Sequence, residues 1–165
     1  TINTKNVHRT NHLLSHAWGR DFVYDEMQLT GSGAAGEKRA KAGARQGAIQ
    51  NAMLGFPPTR ALLRKFALPK PGEGPTKEER ETGHYDVLFT GETADGRAMR
   101  GHVKGDKDPG YASTSKMISE SAMCLARDVD RDETGGGIWT PGAALGSRLI
   151  KRLEANAGLR FSLEN

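Results

Sequence analysis

Tyr85-Asp86-Val87-Leu88-Phe89-Thr90 and Ala98-Met99-Arg100-Gly101-His102-Val103, set on either side of Ala94-Asp95-Gly96-Arg97, decide the fold of this chain. Both flanks are strand patterns, and Asp-Gly between strand patterns signals a hairpin because glycine accepts the positive φ that closes a tight turn. An antiparallel pair follows. Downstream, Gly105-Asp106-Lys107-Asp108-Pro109-Gly110-Tyr111 makes a turn, and from Tyr111 to Val129 the residues Ile118, Ala122, Leu125 and Val129 recur at i, i+4, i+7 and i+11, a helical stripe. Leu145, Leu149, Leu153 and Ala157 predict a last amphipathic helix with Gly158 just past its end. Leu159, Phe161 and Leu163 then alternate as a final strand.

Working upstream, Thr4 or Asn6 can cap a short helix with Leu13, Leu14 and Ala17 on one face, ending near Gly19. Phe22 to Leu29 reads as a further strand, with Phe22 and Tyr24 on one side and Val23, Met27 and Leu29 on the other. Gly36 to Leu54 is Ala-rich and helical, stopping at Gly55-Phe56-Pro57-Pro58; Leu62, Leu63 and Phe66 suggest a second short helix before the loop Pro69 to Pro75. Thr76 and Glu79 stand at capping-box spacing and predict a helical turn that aims the chain into the hairpin. The fold class expected is α+β: a mostly antiparallel sheet of about four to five strands with helices packed mainly on one face.

Composition bounds the function. At 165 residues one compact domain is expected, and 36% hydrophobic residues, mean hydropathy −0.62 and 21 glycines point to many turns and exposed segments. The single Cys124 lies in an apolar helical pattern, so no disulfide can form within the chain. No apolar run of membrane-spanning length and no signal peptide is visible, and a cytoplasmic setting is expected. Net charge is +4, but residues 37–70 carry eight cations against Glu37 alone, a net +7 that leaves −3 for the remainder. That segment has no aromatic residue between Glu37 and Phe56 and no nucleic-acid signature, so nucleic acid is not expected as a partner. A solvated basic face is the plainer reading, and a lipid surface the alternative.

Two patterns are decoys. Gly31-Ser32-Gly33-Ala34-Ala35-Gly36 has the G-x-G-x-x-G spacing of a dinucleotide turn. The strand before it carries Asp25 and Glu26, no acidic residue follows at positions 50 to 56 to hold a ribose, and Pro57-Pro58 stands where a second strand belongs. It reads as a flexible turn, with no cofactor expected there. His8, His12 and His16 fall at helical spacing, yet no Glu sits between the first two as a zinc protease needs, and no metal is expected.

The candidate ligand wall lies at two turns beside the apolar helix. With Pro109 near the first helical position, the N–H groups of Gly110, Tyr111 and Ala112 are expected to face outward with the positive helix end. Lys104, Lys107 and Lys116 would add charge for a phosphate, carboxylate or thioester-linked acyl group. Substrate-binding candidates are accordingly Lys104, Asp106, Lys107 and Gly110, joined by Trp139 and Thr140 after Gly135-Gly136-Gly137. Trp139 either stacks on a substrate chain or plugs a gap between the last two helices.

Taken together, Gly105 to Tyr111 and Gly136 to Gly146, with Asn6-Val7-His8-Arg9-Thr10 leading into Tyr24-Asp25-Glu26, Gly74 to Arg80, and Leu159-Arg160-Phe161-Ser162, resemble the C-terminal part of the saccharopine dehydrogenase-like oxidoreductases, the family that includes trans-acting enoyl reductases. The resemblance spans nearly the whole chain. It implies the C-terminal domain of a two-domain dehydrogenase, with residues 1–165 serving substrate binding and dimerisation and an N-terminal dinucleotide-binding domain absent from this sequence. It further implies an NAD(P)-dependent parent that reduces an enoyl or acyl substrate, a fragment inactive and without cofactor by itself, and as partners the parent's own nucleotide-binding domain and a second copy. For that reaction residue chemistry nominates Tyr111 and Lys116 as catalytic, donating a proton or polarising a carbonyl. The competing class is a non-enzymatic module for dimerisation or for docking to lipid or an acyl carrier.

Overall fold

The computed structural model describes residues 2–67 and 72–164, which form eight helices and three strands. They divide into two compact units, Thr1–Tyr24 with Pro75–Asn165, and Asp25–Gly74.

The first unit is built on the hairpin. Strands β1 (Tyr85–Glu92) and β2 (Ala98–Gly105) pair antiparallel from Tyr85 opposite Gly105 to Glu92 opposite Ala98. The turn between them closes with Gly96 N–H donating to the Thr93 carbonyl at 2.8 Å, and Gly96 adopts φ +83°, as the Asp-Gly signal requires. The last strand, β3 (Leu159–Glu164), lies antiparallel on the other side of β2, so the sheet order is β1-β2-β3. Three described strands replace the expected four to five. The missing one is Phe22 to Leu29, which has no strand conformation; Val23, Met27 and Leu29 are exposed there. Alternation of side chains cannot by itself make a strand, because the backbone N–H and C=O groups need a neighbouring ladder.

Alternate residues of the sheet face opposite ways. Val103, Leu159 and Phe161 point to the side covered by α5 (Ala112–Arg127) and α8 (Gly146–Asn156), where Leu153, Ala157 and Leu159 form the core with Met117 and Leu149 packed around them. Gly158 follows α8 with φ +75°, the left-handed residue that ends a helix and turns the chain into β3. Arg152 joins the two helices, its guanidinium donating to the Asp128 carboxylate and, at 3.0 Å, to Glu120. Cys124 is fully buried among them, and burial pushes its thiol up.

Four short elements frame this core. In α4 (Lys77–Thr82) the Thr76 side chain accepts from Glu79 N–H and the Glu79 carboxylate accepts from Thr76 N–H at 2.7 Å, the reciprocal cap expected from their spacing. A comparable box between Asp130 and Glu133 opens α6 (Arg131–Thr134). α7 (Pro141–Ala144) leads into α8. α1 (Ile2–Leu13) ends earlier than its apolar pattern suggests, because Ser15 and His16 take positive φ and the buried Asn11 side chain holds the following turn through Gly19 O and Trp18 N–H. His16 therefore lies past the helix, and the three histidines do not share one helical side; His8 packs on Phe22 and His12 on His16.

The second unit holds α2 (Gly33–Gly55) and α3 (Pro57–Phe66), which pack on each other. Gly36 is buried because the Gly31 carbonyl lies 2.0 Å from where a Cβ would stand. The G-x-G-x-x-G stretch thus opens a helix without a strand before it. Thr59 closes the junction, its hydroxyl bonding to the carbonyls of Met53 and Phe56. Pro69 to Pro71 of the expected loop lie outside the described residues.

Candidate functional site

The turn after β2 is stitched from both ends. Asp108 N–H donates to the Arg80 carbonyl of α4 at 3.1 Å, and Ser113 N–H donates to the Asp108 carbonyl at 2.8 Å. The Asp108 carboxylate accepts from Tyr111 N–H at 2.7 Å and Ala112 N–H at 3.4 Å. Those hydrogen bonds, led by the one from Tyr111, hold its carboxyl below the ordinary carboxylate range. This corrects the expectation that the N–H groups stand free: Pro109 precedes the helix, Tyr111 is its N-cap, and the chain's own carboxylate takes the place foreseen for an external anion. The signal was in the sequence, since an Asp a few residues before a helix is a habitual cap.

Packing around this turn is close. The Tyr85 ring lies across Gly105, with a ring carbon 2.2 Å from where a Cβ would stand, and the Tyr85 hydroxyl meets the fully buried Ser113 hydroxyl at 2.8 Å. The Asp106 carboxylate lies 2.3 Å from the Cβ position of Gly158 at the end of α8. Tyr111 is 58% exposed and Lys116 half-buried on the same helix end; neither side chain has a polar partner among the described residues. Lys107 is half-buried and Gly110 exposed.

Lys104 goes elsewhere. It alternates with Gly105 and so faces the opposite side of the sheet, where its Nζ pairs with Asp86 at 3.1 Å. At the centre of that side His102 is held between strands: Nδ1 lies 2.7 Å from Asp86 and Nε2 lies 2.8 Å from Glu164. The hydrogen bonds to Asp86 and then Glu164 raise its pKa above the ordinary 6.5.

Trp139 and Thr140 belong to a second place, a groove of about 380 Å³ between α1 and the chain entering α7. The Thr10 hydroxyl donates to the Asn6 carbonyl at 2.9 Å and lies 2.7 Å from the Thr140 hydroxyl; its single proton being spent, Thr140 donates to it. Val7, Ile138, Trp139 and Pro141 make the apolar wall, and Arg9, which carries no ion pair among the described residues, stands at the edge with one bond to the Ile138 carbonyl at 3.4 Å. Trp139 lines this groove, and its Nε1 donates to Gly136 O at 2.9 Å. Asn6 and Arg9 stand in the sequence only as a candidate cap and as part of the family resemblance; their place in the groove is not legible there, because nothing local ties α1 to a segment 130 residues away.

Lys104 apart, the predicted residues therefore gather in two groups. Asp106 meets the C-terminal end of α8, whereas Thr140 caps the helix leading into its N-terminal end, and eleven residues of helix span roughly 16 Å.

The chain is 37% identical over 158 residues to a Mycobacterium tuberculosis protein provisionally named a trans-acting enoyl reductase, a match covering 93% of this chain and 37% of that protein. It is 37% identical over 156 residues to the trans-acting enoyl reductase of Mycobacterium ulcerans, covering 92% and 37%, and 35% identical over 154 residues to that of Mycobacterium bovis, with the same coverage. No protein-family model and no solved structure matches. Almost all of this chain is thus homologous to trans-acting enoyl reductases, and it spans 37% of the length of these relatives.

Proposed function

We propose that this chain is the substrate-side portion of an NAD(P)-dependent, saccharopine dehydrogenase-like oxidoreductase that reduces an enoyl group on an acyl substrate. The observation that carries the reading is its homology, over more than nine-tenths of its length, to proteins named trans-acting enoyl reductase.

The described residues do not themselves fit a dinucleotide. Gly31 to Gly36 opens α2 without a preceding strand, and the three described strands are all antiparallel. Holding the nicotinamide is a task for other parts of the parent protein. Reduction of a C=C bond needs a hydride at one carbon and a proton at its neighbour; this chain's share is to bind, orient and protonate. Tyr111 is the candidate proton donor, because its hydroxyl is exposed and has no competing acceptor among the described residues. Lys116 is the candidate group polarising the thioester carbonyl. The groove lined by Val7, Ile138 and Trp139, with Arg9 at its edge, suits an apolar chain that ends in an anionic or carbonyl group. Both places serve one substrate only if it extends along α8.

The test is enoyl-thioester-dependent oxidation of NADPH by the product of the complete reading frame. Turnover is expected from that protein and none from residues 1–165 alone. Tyr111→Phe should lower kcat by about a hundredfold with KM little changed. Unchanged kcat in Tyr111→Phe and in Lys116→Ala would remove both residues from the chemistry, and absence of any enoyl-dependent turnover would remove the reaction.

A further inference from the structure

The helix pair of the second unit has no core of its own. Among its described residues Leu54 and Leu63 are half-buried where α2 meets α3, and no large apolar side chain is buried. Ile49, Met53, Leu62 and Phe66 are exposed, Leu62 at 60% and Phe66 at 72%. In α3 the side chains of Leu62 and Phe66, four residues apart, share one stripe, and Arg60, Arg64 and Lys65 occupy the rest of the circumference.

The charge here is one-sided and uncommitted. Lys41 pairs with Glu37 at 2.6 Å, which uses the only carboxylate in residues 37–70. Arg39 donates to the Thr30 carbonyl, and Lys65 Nζ lies 5.2 Å from the centre of the Phe66 ring. Lys38, Arg45, Arg60, Arg64 and Lys65 have no carboxylate partner among the described residues.

An occupant must therefore meet apolar side chains on one face of α3 and, around the rest of the helix, cations. An acidic protein could supply the charge, but a stable protein interface also needs a packed, shape-complementary pocket for its anchors. Here Leu62 and Phe66 form one exposed stripe on a short amphipathic helix with a cationic polar face, a pattern that matches insertion between lipid headgroups with the cations at the phosphates. We propose that the α2–α3 hairpin is a docking surface for an anionic phospholipid membrane, with Leu62 and Phe66 inserted and Arg60, Arg64 and Lys65 on the headgroups. This goes beyond the enoyl-reducing role and does not depend on it.

The test is co-sedimentation of the whole chain with phosphatidylcholine vesicles, with and without roughly a third phosphatidylglycerol, at low and high salt. Binding is expected only to the anionic vesicles, weakening steeply with salt. Arg60→Gln/Arg64→Gln/Lys65→Gln should weaken it by about a hundredfold, from about one kcal/mol per cation near the surface. Leu62→Ser/Phe66→Ser should weaken it by at least about tenfold. Removing the same charge from the first unit, in Lys5→Gln/Arg97→Gln/Lys151→Gln, should change it by less than about threefold. No binding to anionic vesicles, or equal loss in the two charge variants, overturns the proposal. So does conversion of a vesicle-free dimer to monomer by Leu62→Ser/Phe66→Ser, which would assign the stripe to a second copy.

Discussion

His102 shows how one residue can carry a measurable pH dependence. It sits on the middle strand with a carboxylate on each side, Asp86 on β1 and Glu164 on β3, and only 20% of its side chain is exposed. Arg100 and Lys104 share its face, but each leans on one of the same carboxylates, Glu164 at 4.0 Å and Asp86 at 3.1 Å. Hydrogen bonding to the charged form raises the folded-state pKa above the 6.5 expected of the unfolded chain. The stabilisation is therefore present in full below pH 6.5 and is lost as the pH rises through the raised value. Thermal melts across that window should show Tm falling with pH more steeply in the native chain than in His102→Gln, and the His102 ring resonances should titrate above 6.5. Identical slopes in the two proteins would mean that the bridge between strands does not form in solution.

At the scale of elements, Arg152 is the link on which the packing of α5 against α8 turns. Its guanidinium forms a two-pronged contact with Asp128, the longer arm at 3.1 Å, and reaches Glu120 at 3.0 Å, with all three side chains largely shielded from water. Asn156 also donates to that Glu120 carboxylate, at 3.1 Å, so removal of the arginine leaves Glu120 one partner and Asp128 none of its guanidinium contacts. Arg152→Ala should cost about 2 kcal/mol in urea unfolding. Arg152→Lys should recover only part of it, because one ammonium cannot match a planar fork that serves two carboxylates. A loss no larger than that of an exposed arginine such as Arg97 would show that these helices are held by apolar packing alone. The elements themselves differed in how plainly the sequence announced them. The Asp95-Gly96 turn, the Thr76/Glu79 box and Gly158 were legible because each is a local chemical need met within a few residues. Phe22 to Leu29 misled because its alternation has no ladder partner, and the groove at Thr140 was illegible because its other wall is α1, far away in sequence. The free helix end fails for a simpler reason: the Asp108 carboxylate, three residues before Tyr111, closes it from within the same turn.

For the molecule as a whole, the division of apolar burial between the two units predicts a division of stability. Every buried apolar side chain of the described residues, namely Cys124, Leu145, Leu153, Ala157 and Leu159, belongs to the first unit. The helix pair of the second unit has half-buried contacts only, and α2 carries Gly36, Gly43 and Gly47, each costing about 1 kcal/mol of helix stability relative to alanine. α3, at ten residues, is too short to hold itself in water without tertiary burial, and α2 is left to lean on its own glycine-weakened propensity. Opening of α2 and α3 should accordingly need far less free energy than opening of β2, α5 and α8, and the two should not open together. In hydrogen exchange of the vesicle-free chain, amides of β2 and α8 should be protected by more than about a thousandfold and those of α2 and α3 by less than about a hundredfold. Equal protection throughout would mean that the chain unfolds as one cooperative body, and that the apolar stripe of the helix pair is already covered. If protection of α2 and α3 is low and rises only when anionic vesicles are added, the missing burial is supplied by the membrane, because lipid that binds the ordered hairpin and not the open one must stabilise it by mass action.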